Sequence, residues 1–241
     1  MGRWLTVVTL VFLGSSCIGT TAVRRDTNTT ATLMSWNVQG SESLAGQAET
    51  AAAIATHISQ TAPDFVALQE CVRCDRLESR LPERYRILGP DHAGVAIAYD
   101  RKLWQVAEQG RLLLGSNDDG WGDRVAGWAR FRHREQRRSV YVYSTHWCVT
   151  VRSQGDRCDG ARQVEYAKTL VEHMARRRHR DAPVILGGDF NVFDGFENAA
   201  SIRYLQNNPL VRFIDAFRAT HPREPGYTFD GNHFAPAGRI D

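Results

Sequence analysis

The 241 residues contain no Pro/Gly/Ser-rich linker, no internal repeat, no low-complexity tract and no abrupt change of composition. Those absences exclude a repeat array and a string of tethered modules, and they favour one domain large enough to bury ~70% of its unfolded surface. Charge of one sign is also scarce. Thirty Lys and Arg against 27 Asp and Glu leave a formal net charge of +3, which permits a polyanionic partner without requiring one. The most apolar run, Trp4 to Leu13, falls well short of the ~20 residues a membrane-spanning helix needs.

That run has its own flanks. Arg3 precedes it and Gly14-Ser15-Ser16-Cys17 follows, which is the layout of an export signal. The expected organisation is a signal over residues 1–22, a polar leader over 23–30 and a single domain over 31–241. Cleavage after Ala22 would release a soluble monomer to the periplasm or the medium. Cleavage before Cys17 would instead leave a lipid anchor, although Gly14 stands where such sites usually carry Leu. A buried N-terminal strand is the remaining reading, and the charge and small-residue flanks disfavour it.

With Cys17 set aside, four cysteines remain: Cys71, Cys74, Cys148 and Cys158. An even number in an oxidising compartment suggests two disulfides, most simply the local pairs, with all three pairings open. A four-cysteine zinc site fits less well, because Cys148 and Cys158 are ten residues apart.

Apolar patterning predicts strands at 31–37, 64–70, 94–99, 124–131, 140–145 and 182–186. Helices are expected where Ala51, Ile54, Ala55 and Ile58 recur at helical spacing, over about 161–178, and near 210–218. The strands at 124–131 and 140–145 flank a basic stretch and read as a hairpin, so the sheet is not purely parallel. The fold class is α/β.

Ala182 to Leu186 runs into Gly187-Gly188-Asp189-Phe190-Asn191, read as a buried strand whose glycines turn tightly into a loop. Asp and Asn are ordinary turn residues, so this stretch alone says little. The same arrangement recurs, however. Asn37, Glu70, His146 and the Asp189/Asn191 pair each follow an apolar stretch, supplying two carboxylates, two amides and an imidazole at strand ends. Carboxylates clustered without a cation would cost several kcal/mol. A hard, oxygen-ligated metal, Mg²⁺ before Mn²⁺ or Ca²⁺, removes that penalty.

With these residues in place, the chain resembles the endonuclease/exonuclease/phosphatase superfamily. The matching stretches are Ser35-Trp36-Asn37-Val38, Leu68-Gln69-Glu70, Ser144-Thr145-His146-Trp147, Gly188-Asp189-Phe190-Asn191, Gly226-Tyr227-Thr228-Phe229 and Arg239-Ile240-Asp241. The resemblance implies a DNase I-like, four-layered α/β/β/α sandwich of two mixed sheets with the active site at one end. It assigns Glu70 as the principal metal ligand with Asn37 beside it. Asp189 would orient or deprotonate the attacking water, Asn191 would hold a phosphate oxygen and His146 would contact the scissile phosphate. Asp241 would ordinarily orient a catalytic histidine.

Members of the family continue past the Arg-Ile-Asp strand to a Ser-Asp-His segment, whereas this sequence stops at Asp241, and His221 and His233 lie upstream. Gln39 also stands where some nuclease members carry an acid. The expectation is a C-terminally incomplete copy of an active enzyme, which as written would hydrolyse poorly. The function expected of the complete protein is exported, metal-dependent hydrolysis of nucleic-acid phosphodiesters. A phosphatase, a phospholipid or sphingomyelin phosphodiesterase, and a noncatalytic binding protein are the alternatives.

Arg124 and Arg162 are candidate phosphate contacts, each set against a surface ion pair. Trp121, Trp128 and Trp147 are candidates for a base-stacking or lipid-facing rim, set against core packing. Residues 132–138 and 176–180 are basic runs, most economically a solvated hairpin tip and a helix C-terminus. His57, His92 and His173 read as surface or structural residues.

Overall fold

The computed structural model describes residues 6–12, 29–38, 48–89, 94–136, 138–150, 158–177, 182–192, 199–224, 226 and 228, with backbone alone for 6–12, 29 and 48. Asp241, Gln39, His92, His233, Tyr227 and Phe229 lie outside the described residues. In chain order, β1 (Thr6–Phe12) and β2 (Thr29–Asn37) lead into α1 (Ala48–Thr61), β3 (Phe65–Gln69) and the short α2 (Cys74–Glu78). Then come β4 (Tyr85–Leu88), β5 (Ala96–Asp100), β6 (Trp104–Gly115), β7 (Arg124–His133) and β8 (Ser139–His146). The long helix α3 (Gly160–Arg177) precedes β9 (Val184–Asp189), α4 (Ala200–Asn207) and α5 (Ala216–Thr220).

The strands form two mixed sheets, ordered β1-β2-β3-β5-β4 and β6-β7-β8-β9. Within the first, β2 and β3 run parallel. Within the second, β8 and β9 do so, and the other pairings are antiparallel. Side chains alternate across each strand, and the alternation builds the layers. Leu33, Phe65 and Ala67 face inward and meet Phe131, Val142 and Ile185 of the other sheet. Met34, Val66 and Leu68 face outward beneath Ile54, Ile58 and Leu77 of α1 and α2. On the far side, Tyr141 and Tyr143 lie under Tyr166, Leu170 and Met174 of α3. The order is therefore helices, sheet, sheet, helices, the four-layered sandwich that the resemblance implied.

The stretch read as the apolar heart of an export signal forms β1 here, at the edge of its sheet and antiparallel to β2. Four elements had no clear sequence signal. The middle of β6, Gln109-Gly110-Arg111, lies on an edge strand and is exposed, so no apolar alternation marks it. β4, α2 and α4 are each eight residues or fewer. The helix expected near 210–218 is displaced: residues 208–215 are irregular, and α4 and α5 stand on either side.

Gly187 and Gly188 also act differently from expectation. Both lie inside β9, and neither has a positive φ. Gly187 sits at the sheet interface, where a Cβ would come within 2.9 Å of Leu33 and 3.1 Å of Ala67. At Gly188 a Cβ would overlap the carbonyl of Thr145 on β8. The pair serves close packing, and the turn is made three residues later by Asn191, with φ 49°.

Candidate active site

Parallel strands put their C-terminal ends side by side, and this fold does so twice. Asn37 closes β2 opposite Gln69, the last residue of β3. His146 closes β8 opposite Asp189, the last residue of β9. The two pairs face each other because β2 packs on β9 and β3 on β8. Residues spread over more than 150 positions of sequence therefore converge at one end of the sandwich, as ligand sites commonly do at the carboxyl ends of parallel strands.

The Asn37 amide lies at the centre of the cluster. Its Nδ2 donates to Glu70 Oε1 at 2.8 Å and to Asp189 Oδ2 at 3.0 Å. Two carboxylate neighbours require the nitrogen on that side, which fixes the amide orientation. With both hydrogens given to carboxylates, whatever else Asn37 binds it binds through its carbonyl oxygen. His146 Nε2 stands 4.0 Å from Glu70 Oε1 and 3.9 Å from Asp189 Oδ2. Those separations are too long for hydrogen bonds, yet charge is strongly felt across them.

Backbone geometry sets each group. Glu70 adopts φ 54° as it leaves β3, and Cys71 N then donates to Gly94 O at 2.8 Å. Gly94 approaches so closely that a Cβ there would lie 3.1 Å from Glu70 Cα. A disulfide joins Cys71 to Cys74 directly after the glutamate, and another joins Cys148 to Cys158 shortly after His146. Both are the local pairings. Asp189 is 1% exposed, and its Oδ1 accepts from Asn191 N at 3.0 Å, while Glu70 keeps 34% of its side chain exposed. The glutamate is thus the acid that meets solvent, and the aspartate is the one held in place.

Asn191 Nδ2 donates to Trp147 O at 2.9 Å, tying the loop after β9 to the loop after β8. Gln163 of α3, itself buried, adds a second tie by donating to Cys148 O at 3.0 Å and Asn191 O at 3.3 Å. Beneath the site, Gln69 Nε2 donates to Ser144 Oγ at 3.2 Å, and Ser144 Oγ donates to Leu68 O at 3.0 Å, joining the sheets through polar groups. Gln163 was not singled out from the sequence, and Gln69 entered only as part of the Leu68-Gln69-Glu70 stretch, with no role of its own. A buried glutamine has no spacing signature, and only the tertiary contacts reveal one.

The two candidate arginines sit on the flank of this site, and each has an acid. Arg124 opens β7 and donates through Nε and Nη2 to Asp119, with both side chains buried. Arg162 Nε donates to Asp118 Oδ2 at 2.9 Å, and that bond, above all, raises the arginine further. Tyr166 OH also donates to Asp118. Burial first and then the aspartate push its phenol well up, so it remains a donor. Trp128 and Trp147 are core residues, whereas Trp121 is 80% exposed. His173 is buried and structural, as expected.

Among the described residues, no three His, Cys, Asp or Glu side chains are grouped to hold a metal ion by themselves. The donor set suits a hard divalent cation nonetheless. Mg²⁺ is typically held by one or two carboxylates, with water and substrate phosphate completing its shell. Glu70, partly exposed beside the Asn37 amide, supplies that kind of site.

No curated protein matches the chain. Solved structures do. A D. rerio TDP2 humanized by 14 mutations superposes with a TM-score of 0.66 at 19% identity, covering 87% of this chain and 80% of that one. SmcL gives 0.60 at 20% identity, with 72% and 68% covered. The Bacteroides thetaiotaomicron VPI-5482 mannosyl-6-phosphatase Bt3783 gives 0.56 at 21%, with 70% and 68% covered. At these identities the likeness is one of fold. The family model for the Endonuclease/Exonuclease/phosphatase family matches residues 34–241, from β2 past every group of the site, and the chain belongs to that family.

Proposed function

We propose that this protein is an exported, divalent-metal-dependent phosphodiesterase that cleaves nucleic acid. Members of its family hydrolyse phosphoesters. The observation that carries the metal-dependent reading is the double donation from Asn37 to Glu70 and Asp189, opposite His146. It holds two carboxylates close together at the open end of two parallel strand pairs, a placement that a cation would stabilise. The substrate class is supported by a structural neighbour, D. rerio TDP2, whose structure contains a single-strand DNA product, and by the weakly basic chain.

A bound cation, Mg²⁺ before Mn²⁺ or Ca²⁺, would be held by Glu70 with Asn37 and would neutralise charge on a non-bridging phosphate oxygen. The remaining roles fall to the chain. Asp189, its carboxylate fixed by Asn37 and Asn191, orients the attacking water and takes its proton as the new P–O bond forms and the P–O bond to the departing ester oxygen breaks, that oxygen then taking a proton from solvent. His146, on the neighbouring strand end, contacts the scissile phosphate and stabilises the charge that accumulates during in-line displacement. Asn191 holds a phosphate oxygen, and its φ of 49° fixes its position relative to Asp189. Asp241 is proposed to orient a catalytic histidine.

The test pairs a metal titration with a substrate panel. The full chain should bind Mn²⁺ or Mg²⁺ by calorimetry, and Glu70→Gln should lose that binding while keeping its circular dichroism and urea midpoint. Activity on plasmid DNA, RNA, sphingomyelin vesicles and a small phosphodiester should be abolished by EDTA and reduced ~10²- to 10⁴-fold by Glu70→Gln, the range for losing a positioned catalytic group. Unchanged metal binding in the variant would refute the ligand assignment. Preferential turnover of sphingomyelin over nucleic acid would refute the substrate class.

A further inference from the structure

The hairpin between β6 and β7 carries Asn117-Asp118-Asp119-Gly120-Trp121-Gly122-Asp123. Large apolar side chains at hairpin tips usually fold back onto the body, yet Trp121 is 80% exposed. The loop beneath it is heavily braced. Asp118 is held by Arg162 and Tyr166 of α3, and Asp119 by Arg124 of β7. Trp121 N donates to Asp119 Oδ1 at 3.3 Å, Gly122 N to Asn117 Oδ1 at 3.1 Å and Ser116 Oγ to Asp123 Oδ1 at 2.7 Å. Two acid pairs hold the base of the exposed indole: Arg124 with Asp119, which is buried, and Arg162 with Asp118, whose arginine is partly exposed.

The position links this tip to the site. Asp119 Oδ2 also accepts from Val149 N at 3.0 Å, so one carboxylate joins the backbone of Trp121 to a residue three positions beyond His146. Three extended residues span at most about 11 Å. Gly120 and Gly122 have φ of 78° and 91°, and a Cβ on either would meet nothing within 4 Å. The indole is therefore flanked by bare backbone and open space.

From this geometry we infer that Trp121 is a stacking platform for an unpaired nucleobase near the scissile phosphate. The inference rests on the nucleic-acid reading above and specifies how single strands are gripped. Aromatic stacking accepts any base and needs an exposed, rigid ring. A membrane-inserting tip would surround the tryptophan with further apolar side chains. Here its immediate neighbours are glycines followed by carboxylates, and Leu113, lower on the hairpin, is the other exposed large apolar side chain of β6 and the tip.

The experiment compares Trp121→Ala, Trp121→Phe and Trp121→Leu in the full chain. Binding is measured by fluorescence anisotropy, with EDTA present, to a single-stranded oligonucleotide and to an abasic strand of equal length. Hydrolysis of a small phosphodiester is measured in parallel. Trp121→Ala and Trp121→Leu should weaken oligonucleotide binding about 5- to 150-fold, the range of one base stack. Trp121→Phe should retain most of it, and abasic binding and small-ester turnover should be unchanged in all three. Equal binding by wild type and Trp121→Ala, retention by Trp121→Leu, or an equal loss on the abasic strand would overturn the platform. Sedimentation with sphingomyelin vesicles that survives in Trp121→Leu and fails in Trp121→Ala would point to a lipid surface and overturn it too. A wild type that cleaves small esters but neither binds nor cleaves nucleic acid defeats the substrate reading itself, and the platform with it. A wild type that cleaves nucleic acid with the variants unchanged defeats the platform alone.

Discussion

Replacing Asp119 by alanine should be among the most damaging single changes on the flank of the site. The Asp119 side chain is fully buried and that of Arg124 is 8% exposed. Removing one member of so dry a pair leaves an uncompensated guanidinium, at a cost of about 3–5 kcal/mol. Val149 N and Trp121 N also lose their acceptor. Water can reach the exposed tip, so the middle of that range, about 4 kcal/mol, is the working figure against a total stability of about 5–15 kcal/mol. With a urea slope of about 2–3 kcal/mol per molar, the midpoint should fall by roughly 1.5 M. Asp119→Asn keeps an acceptor and should cost less. The decisive arm is Asp119→Ala combined with Arg124→Met, which removes the stranded charge and should recover more than half of the loss. The assay is equilibrium urea unfolding with the disulfides intact, followed by circular dichroism. A cost below about 1 kcal/mol for Asp119→Ala, or a double variant no more stable than the single one, would refute the view that Arg124 is chiefly the counter-charge of the hairpin.

Two further outcomes test the layers themselves. His173 Nε2 accepts from Arg177 Nε at 3.0 Å, so its proton sits on Nδ1, facing the Tyr143 hydroxyl at 3.2 Å. Burial, reinforced by Arg177 and Arg176 and opposed by Glu108, pushes this histidine down to about 4. Its ordinary value is about 6.5, so between those two values the unfolded chain binds a proton that the folded chain refuses. Stability is then complete above pH 6.5 and falls by about 3 kcal/mol on acidification to pH 4. His173→Gln should flatten that slope in urea melts taken across the window, and an unaltered slope would show that other groups set it. Gly188→Ala forces a methyl into the Thr145 carbonyl of the neighbouring strand, and overpacking against backbone should cost about 3 kcal/mol. A thermal midpoint within a degree or two of wild type would contradict that contact.

Much of the candidate site was legible because its polar side chains sit at strand ends. An apolar run that stops at Asn37, Glu70, His146 or Asp189 marks both a buried strand and the polar group it presents, since the burial that makes the strand also fixes where the side chain emerges. Elements lying at an edge or packing weakly gave no such contrast. β6 is exposed through its middle, and the segment after α4 has apolar residues, Leu210 and Ile214, that stay largely in water. The glycines of β9 were misread for a related reason. A glycine in sequence signals missing bulk, and only the neighbouring sheet shows whether the space is needed for a turn or for another chain segment.

The sequence alone determined the α/β class, most of the strands, the local disulfide pairing as the simplest choice, and the family through its ordered motifs. Those properties depend on neighbours within a few residues or on patterns repeated along the chain. Tertiary structure decided the rest, because it depends on which distant groups share one volume. It joined Asn37 to Glu70 and Asp189, gave each flanking arginine its aspartate, and moved Gln163 and Gln69 into the site. It also separated three similar tryptophans. Trp128 and Trp147 fill the core, while Trp121 stands exposed because two glycines beside it leave nothing to cover the ring.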